Sequence, residues 1–315
     1  MNAPSMPMPR SIPEYLDQLR AALSGSDPAL VQDALYDAEE YLRSEMSENP
    51  GKGEAEVIAS VAGSYGAPFE VAEIYRDTEV KVQTALRAPK PVQRESLLGK
   101  FFGVAADPRT YGALFYSVLA LATGIFYFTW VVTGVSLSAG LAVLIVGIPF
   151  AILFLGSVRV LSLVEGRIVE AMLGERMPRR PLYAERGKGV LERIGGMFSD
   201  PRTWSTLLYM LAMLPLGIVY FTVVVTLLSV AIGFIVGPVL TAFGAFDGWT
   251  VDHYDVGPLM FNDWGMATAL HPWQWPLLFV IGVVLLFATL HLARGIGRMH
   301  GLLAKHLLVK SAQFA

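Results

Sequence analysis

Long stretches without a charged residue dominate the second half of the sequence. No Asp, Glu, Lys or Arg occurs over 110–158, 203–246 or 264–293. A helix needs about 20 apolar residues to cross the hydrocarbon core of a bilayer. The first stretch therefore holds two spans and each of the others holds one. The pattern predicts transmembrane helices near residues 112–133, 139–160, 205–233 and 275–292.

The first part of the chain has the shorter amphipathic pattern of a small helical domain. Ser11-Ile-Pro-Glu14 has the spacing of a capping box, and an apolar stripe at helical spacing begins at Tyr15. Asp27-Pro28 starts a second helix, and turns at 49–53 and 66–68 separate two more. We therefore expect a compact set of four helices ahead of the membrane part.

The membrane part is predicted to be an internal duplication. Asp107-Pro-Arg-Thr-Tyr111 recurs 93 residues later as Asp200-Pro-Arg-Thr-Trp204, and the match continues along the span that follows. Farther on the offset becomes 135, which aligns Arg159 with Arg294. Both copies start on the same side of the membrane, so the repeats are parallel and related by an axis along the membrane normal.

The predicted fold class is all-α, an integral membrane protein with a small helical domain and two parallel two-helix repeats. Each repeat is expected to begin with an interfacial amphipathic helix, near 95–105 and 189–198. The predicted parts are a disordered N-terminus 1–10, an acidic helical domain 11–86, a basic linker 87–96, repeat 1 at 97–185, and repeat 2 at 186–315 with an outer loop 241–274.

Charge then fixes the expected orientation. The polar segments before the first span, between the second and third, and after the fourth are rich in Lys and Arg. By contrast, the predicted turn at 134–138 has no charge, and 241–274 has four Asp and no Lys or Arg. The positive-inside bias therefore predicts cytoplasmic termini. Residues 14–79 carry 15 acidic and 4 basic side chains, which argues against direct binding to nucleic acid.

The sequence shows little that could carry catalysis or transport. The chain has no cysteine, which excludes disulfides, thiolate metal sites and thiol chemistry. The apolar stretches 110–158, 203–246 and 264–293 hold no charged residue, whereas ion-coupled carriers need such groups at mid-depth. Phosphate-binding, zinc-protease and serine-hydrolase motifs are not found. We predict no enzyme, no catalytic residue and no cofactor.

Two arginines and one loop remain as candidate binding sites. Asp107 and Asp200 are predicted N-caps of their spans, which puts Arg109 and Arg202 at the level of the lipid headgroups. That reading is mainly structural, and a specific lipid site is the alternative. Asp252, His253 and Asp255 in the outer loop are possible ligands for a divalent cation. A solvated acidic loop anchored by Trp residues is the favoured interpretation of that segment.

Both parts of the chain resemble known families. Residues 97–308, with Tyr220-Phe-Thr-x-Val-x-Thr226 and Val146-Gly-Ile-Pro149, look like the sensor domain found ahead of some bacterial histidine kinases. The N-terminal part resembles the HAAS signalling domain, a helical module associated with PadR-type winged-helix regulators. The motifs are Tyr15-Leu16-x-x-Leu19-x-x-x-Leu23, Asp37-x-x-Glu40, Gly53-x-x-x-x-Ile58 and Gly66-x-Pro68-x-x-x-Ala72.

These resemblances imply a bacterial inner-membrane protein that couples an envelope or bilayer cue to a PadR-type transcription regulator. The expected contact with the regulator is the second helix, at Asp33, Asp37 and Glu40. Membrane lipids are the other expected partners, and a homo-oligomer is possible. A lipid-binding or membrane-organising scaffold without a regulator is the alternative. A transporter or membrane enzyme ranks below both.

Overall fold

The computed structural model describes residues 8–86, 96–144, 147–180, 195–196, 198–243, 250–251, 254–255, 259–261, 267–269 and 273–309. The N-terminal helices are α1 (Ile12–Ala22), α2 (Pro28–Glu48), α3 (Glu54–Ser64) and α4 (Pro68–Leu86). Then follow α5 (Leu97–Phe102), a 3₁₀ turn (Gly103–Ala106), α6 (Pro108–Leu141), α7 (Gly147–Leu173), α8 (Pro201–Ala242) and α9 (Gln274–Leu308). This architecture confirms the all-α class.

The predicted outer loop contains short strands, which the sequence pattern did not indicate. Strand β1 (Thr250–Val251) pairs antiparallel with β2 (Tyr254–Asp255), and β3 (Leu259–Phe261) pairs antiparallel with β4 (Ala267–Ala269). Strands of two or three residues bury too little to show an alternating pattern. They leave the class of the protein unchanged.

Four helices are long and apolar enough to cross a membrane, namely α6, α7, α8 and α9. Their number and order agree with the prediction. Helices α6, α8 and α9 contain the predicted spans 112–133, 205–233 and 275–292 and extend beyond them, because polar residues at a helix end interrupt the apolar pattern without ending the helix. The predicted second span, 139–160, starts too early, since α6 continues to Leu141 and α7 begins only at Gly147.

The predicted turn at 134–138 is wrong, because α6 continues through it to Leu141. Gly134 serves packing instead: a Cβ added there would lie 2.1 Å from the ring of Phe154. A turn follows α6, in which the N–H of Leu144 donates to the carbonyl of Leu141 at 2.8 Å. A Cβ on Gly147 would lie 2.1 Å from that same carbonyl, so this turn requires glycine.

The chain forms two compact units. Unit 1 comprises Met1–Lys90, Phe128–Leu211 and His300–Ala315, and unit 2 comprises Pro91–Tyr127 and Ala212–Met299. The N-terminal helices therefore belong to the same unit as parts of the membrane helices, although the sequence pattern separates them into a domain of their own.

The N-terminal helices of unit 1 enclose a small apolar core. Tyr15, Leu19 and Leu23 of the predicted stripe are fully buried, together with Leu42 and Ile58. The expected cap is present: Ser11 Oγ accepts from the N–H of Glu14 at 3.3 Å. Local sequence signals therefore located this part of the fold correctly.

In unit 2, helices α6 and α8 cross at two glycines that are equivalent in the two repeats. A Cβ on Gly124 would lie 2.5 Å from the carbonyl oxygen of Met213, and one on Gly217 would lie 2.3 Å from that of Ala120. The spacing of 93 relates Gly124 to Gly217 and also Ala120 to Met213. The crossing is therefore pseudo-symmetric, and only glycine permits so close an approach of the two backbones.

The Asp-Pro-Arg-Thr elements cap their helices as predicted. Asp107 Oδ1 accepts from the N–H of Arg109, and Asp200 Oδ1 accepts from the N–H of Arg202, both at 3.0 Å. The other carboxylate oxygen of each Asp binds an arginine of the opposite repeat. Asp107 pairs with Arg294 at 2.8 Å and Asp200 pairs with Arg159 at 3.3 Å. Each repeat thus supplies the cation for the other repeat's cap.

The helix crossing in unit 2 is open to a direct test. Gly217→Ala is expected to destabilise the protein by roughly 1–3 kcal/mol, because the added Cβ forces the two helix backbones apart. Thermal unfolding in detergent measures the change. Gly233→Ala is the matched control in the same helix, since nothing lies within 4 Å of a Cβ at that position. An equal effect of both substitutions would contradict the close-packing role of Gly217.

Candidate functional site

The acidic helix α2 docks onto a short segment that follows α7. Gly174, with φ of +75°, ends that helix and turns the chain into residues 174–180, here called the docking segment. Asp33 of α2 is only 6% exposed, and its Oδ1 accepts from the N–H groups of Arg179 at 2.7 Å and Arg180 at 2.9 Å. Two backbone N–H groups of the docking segment thus donate to one carboxylate oxygen.

Arg176 completes the surroundings of this carboxylate. Its Nη2 donates to Asp33 Oδ2 at 3.0 Å, and its Nε donates to Glu79 Oε1 at 3.0 Å. A third carboxylate, that of Glu170, lies 3.6 Å from Nη1. The guanidinium therefore joins α2 and α4 through charge-assisted hydrogen bonds, which are stronger than neutral ones, and contacts the end of α7 through an ion pair.

Burial and charge act against each other on this pair. Burial raises the pKa of Asp33, although the two backbone N–H groups and Arg176 act to lower it. Burial disfavours the charged form of Arg176, but the carboxylates of Glu79, Asp33 and Glu170 outweigh it and raise its pKa. Burial of either charge alone would therefore be unfavourable, and the contact depends on both Asp33 and Arg176 keeping their partners.

Contacts around this centre extend the interface. Arg180 Nε lies 3.0 Å from Asp37 Oδ1, and Tyr75 donates its hydroxyl to Asp37 Oδ2 at 3.0 Å. Lys305 of α9 donates to Asp27, the residue whose other carboxylate oxygen caps α2. The N-terminal helices are thus held by groups at the ends of both α7 and α9.

The docking segment lies across two glycines that are equivalent in the repeats. A Cβ on Gly166 would lie 3.4 Å from Cβ of Met177, and one on Gly301 would lie 2.6 Å from Cγ of Glu175. The offset of 135 relates these two glycines. The equivalent glycines therefore leave room for the side chains of the docking segment, most of all at Gly301.

The predicted partner residues have divergent surroundings. Asp33 and Asp37 face arginines of the chain itself, whereas Glu40 is exposed on the same helix. Asp33 is covered by the docking segment, whereas the side chain of Asp37 remains 29% exposed.

The two predicted headgroup arginines also differ. Arg109 is exposed, in agreement with a headgroup position. Arg202 is 8% exposed, and its guanidinium donates to Gln32 Oε1 at 3.2 Å and to the carbonyl of Val309 at 3.3 Å. This enclosure departs from the expectation for Arg202, because α2 and the end of α9 cover the start of α8.

The three predicted metal ligands belong to the outer loop 241–274. Asp252 and His253 lie outside the residues that the structure describes, and Asp255 is described only as part of β2. Within the described residues, no group of three or more His, Cys, Asp or Glu side chains could hold a metal ion.

A buried polar cluster in unit 1 was missed by the sequence reasoning. Tyr209 donates its hydroxyl to Glu165 Oε1 at 2.9 Å, and His300 Nε2 lies 2.9 Å from the same hydroxyl. Because that hydroxyl donates to the carboxylate, its oxygen accepts from the Nε2–H form of the imidazole. All three residues are at most 1% exposed.

A signal for this cluster was present in the repeat alignment. The offset of 135 that relates Gly166 to Gly301 also relates Glu165 to His300. The two ionisable residues were placed beyond the spans, since charges ended the apolar windows. The structure instead continues α7 and α9 through them, and they meet on one tyrosine.

The docking contact yields a first prediction about this site. Asp33→Asn keeps an acceptor for the backbone N–H groups but turns an amide N–H₂ toward Arg176, so docking should weaken by roughly 3 kcal/mol. Spin labels on Glu56→Cys and His306→Cys report the docked fraction by their distance distribution, and the chain has no other cysteine. Glu40→Gln is the matched control, because Glu40 is exposed. Unchanged distances in the Asp33 variant would contradict the role of this carboxylate.

The buried cluster yields a second prediction. Tyr209→Phe leaves a buried carboxylate and an imidazole without their shared hydroxyl, which should lower stability by roughly 1–3 kcal/mol. Tyr111→Phe is the control, since its exposed hydroxyl donates to the carbonyl of Ala105. Thermal unfolding of both variants in detergent is the measurement, and an equal loss would rule out a special contribution from Tyr209.

Comparisons with known proteins agree with the membrane part of this picture. A search of curated proteins and a search of solved structures found no match. A family model, described as "Putative sensor", matches residues 116–308, which is more than half of the chain. This range begins in α6 and ends with α9, so it includes the docking segment, the buried cluster and all but the start of the first span. The chain therefore belongs to this sensor family.

Proposed function

We propose that this chain is a bacterial inner-membrane signalling protein whose N-terminal helices pass an envelope or bilayer cue to a PadR-type transcription regulator. Membership of the sensor family supports the sensory role of the spans. The observation that carries the proposal is the contact of Asp33 with the docking segment, which links α2 to the end of α7. On this proposal both termini are cytoplasmic, as the distribution of basic residues indicates.

The same contact suggests how the signal is passed. In the docked state, arginines of the docking segment form ion pairs with Asp33 and Asp37. Of the three predicted contact residues, Glu40 alone is exposed. A cue that shifts α7 against its neighbours withdraws these arginines and exposes a continuous acidic surface. Such a two-state contact responds to any ligand that binds one state better than the other. No catalytic step belongs to this mechanism.

The test uses the full chain in nanodiscs and the PadR-type regulator encoded nearest to its gene. Glu40→Lys should weaken capture of the regulator about tenfold, because it reverses a charge at the proposed contact. Arg176→Gln should strengthen capture, because it releases the docked surface without changing a proposed contact residue. Glu56→Lys, an exposed reversal on α3, is the control and should leave capture unchanged. Absence of capture by both the wild type and the Arg176 variant would refute the regulator proposal.

A lipid-binding or membrane-organising scaffold is the second candidate. Leu97 and Leu98 of α5 are 84% and 71% exposed, which suits a helix that lies in the headgroup region. Exposed Arg109 follows close behind and could contact lipid phosphate. This role needs no regulator, so a protein that binds membranes normally but captures no regulator would favour it.

A further inference from the structure

Arg202 is a buried cation to which its described neighbours offer only neutral acceptors. Its two guanidinium contacts are the amide oxygen of Gln32 and the carbonyl of Val309. Among the described residues, no carboxylate oxygen lies within 4 Å of the guanidinium. The carboxylate of Asp200 is used by the backbone N–H of Arg202 and by Arg159. Asp200 attracts the charge of Arg202 but also pairs with Arg159, which repels that charge, so the buried cation is compensated only in part.

The guanidinium lines a cavity of about 60 Å³ in unit 1. This space exceeds that of a single water molecule. The cavity, here called the Arg202 cavity, is also lined by Arg159, Ser162, Thr203 and Thr206. The lining contains two arginines and three hydroxyl residues but a single carboxylate residue, Asp200, and the remainder is largely apolar. Such a lining offers hydrogen-bond donors and excess positive charge, which is the chemistry that recognises a phosphate group.

The equivalent arginine of repeat 1 provides the comparison. Arg109 has the same local sequence and the same capped helix start, but its side chain is exposed. Water therefore solvates the charge of Arg109, whereas that of Arg202 is enclosed. The need for an anion arises from this enclosure and not from the Asp-Pro-Arg-Thr motif itself.

We propose that the Arg202 cavity binds a phosphate-bearing anion and that the bound anion stabilises the docked N-terminal helices. Gln32 comes from α2 and contributes to the lining, while its side-chain N–H donates to the carbonyl of Arg180 in the docking segment at 2.8 Å. The lining is complete only when α2 is docked, so the anion favours that state by mass action. The regulatory consequence rests on the proposed function, whereas the binding step does not.

Two sources can supply this chemistry. A phospholipid headgroup is one, since Arg202 begins a membrane-spanning helix and the nearby Trp204 and Leu208 are each 59% exposed. Free inorganic phosphate is the other. Native mass spectrometry of the full chain separates them, with phosphatidylglycerol in one arm and inorganic phosphate in the second.

Wild type and Arg109→Gln should retain the anion equally, and Arg202→Gln should retain it about tenfold less, because a charge-assisted contact is lost. Arg202→Lys keeps the charge and should restore part of the retention. If Arg202→Gln lowers the retention of phosphatidylglycerol alone, the bound anion is a lipid headgroup. If it lowers the retention of inorganic phosphate, the bound anion is free phosphate. Equal retention by the Arg202→Gln and Arg109→Gln proteins in both arms would overturn the site.

Spin labels on Glu56→Cys and His306→Cys then test the coupling. The docked fraction should rise when the anion is added to the wild type and stay constant in Arg202→Gln. If addition of the anion does not change the docked fraction of the wild type, the coupling is overturned and the proposed function is left intact. N-terminal helices that never dock would instead overturn the proposed function, while retention of the anion still decides the binding site.

Discussion

Asp33 brings a carboxylate into surroundings from which water is almost excluded, and the docking segment replaces the lost hydration. Two backbone N–H groups and the guanidinium of Arg176 supply the compensation, and they do so from a segment that Gly174 turns away from α7. Such a buried carboxylate is stable only in the arrangement that keeps all its hydrogen-bond donors, because removal of one partner leaves a buried charge without compensation. The N-terminal helices are therefore held in one defined position at the end of α7.

The duplication supplies the frame for this contact and for the membrane helices. Equivalent glycines permit the crossing of α6 and α8, and each repeat provides the arginine for the other repeat's capping aspartate. The two repeats differ at two pairs of equivalent positions that our proposals and predictions concern. Glu165 and His300 occupy equivalent positions but carry opposite chemistry, and both reach the hydroxyl of Tyr209. Arg202 is enclosed where its counterpart Arg109 is solvated.

Gln32 connects the two features on which the proposals depend. Its amide oxygen accepts from Arg202 at the cavity, and its amide nitrogen donates to the docking segment. The side chain of Gln32 therefore links Arg202 directly to the docking segment that holds α2. Coupling between sites requires such a shared element with two arrangements, and on our proposal that element is α2, docked or released.

Sequence by itself determined the elements whose signals are local. Apolar windows gave four spans, Ser11 and the two capping aspartates gave helix starts, and the repeat offsets related residues that the structure pairs or packs. Tertiary structure alone decided which charges are buried. Glu165 and Arg202 look like solvated residues in the sequence, because a charge near the end of an apolar window ends the hydrophobic signal, and Asp33 looks solvated because it belongs to a strongly acidic helix. Their burial comes from long-range contacts with residues more than 40 positions away, such as Asp33 with Arg176 and Glu165 with Tyr209, and no local pattern records such pairs.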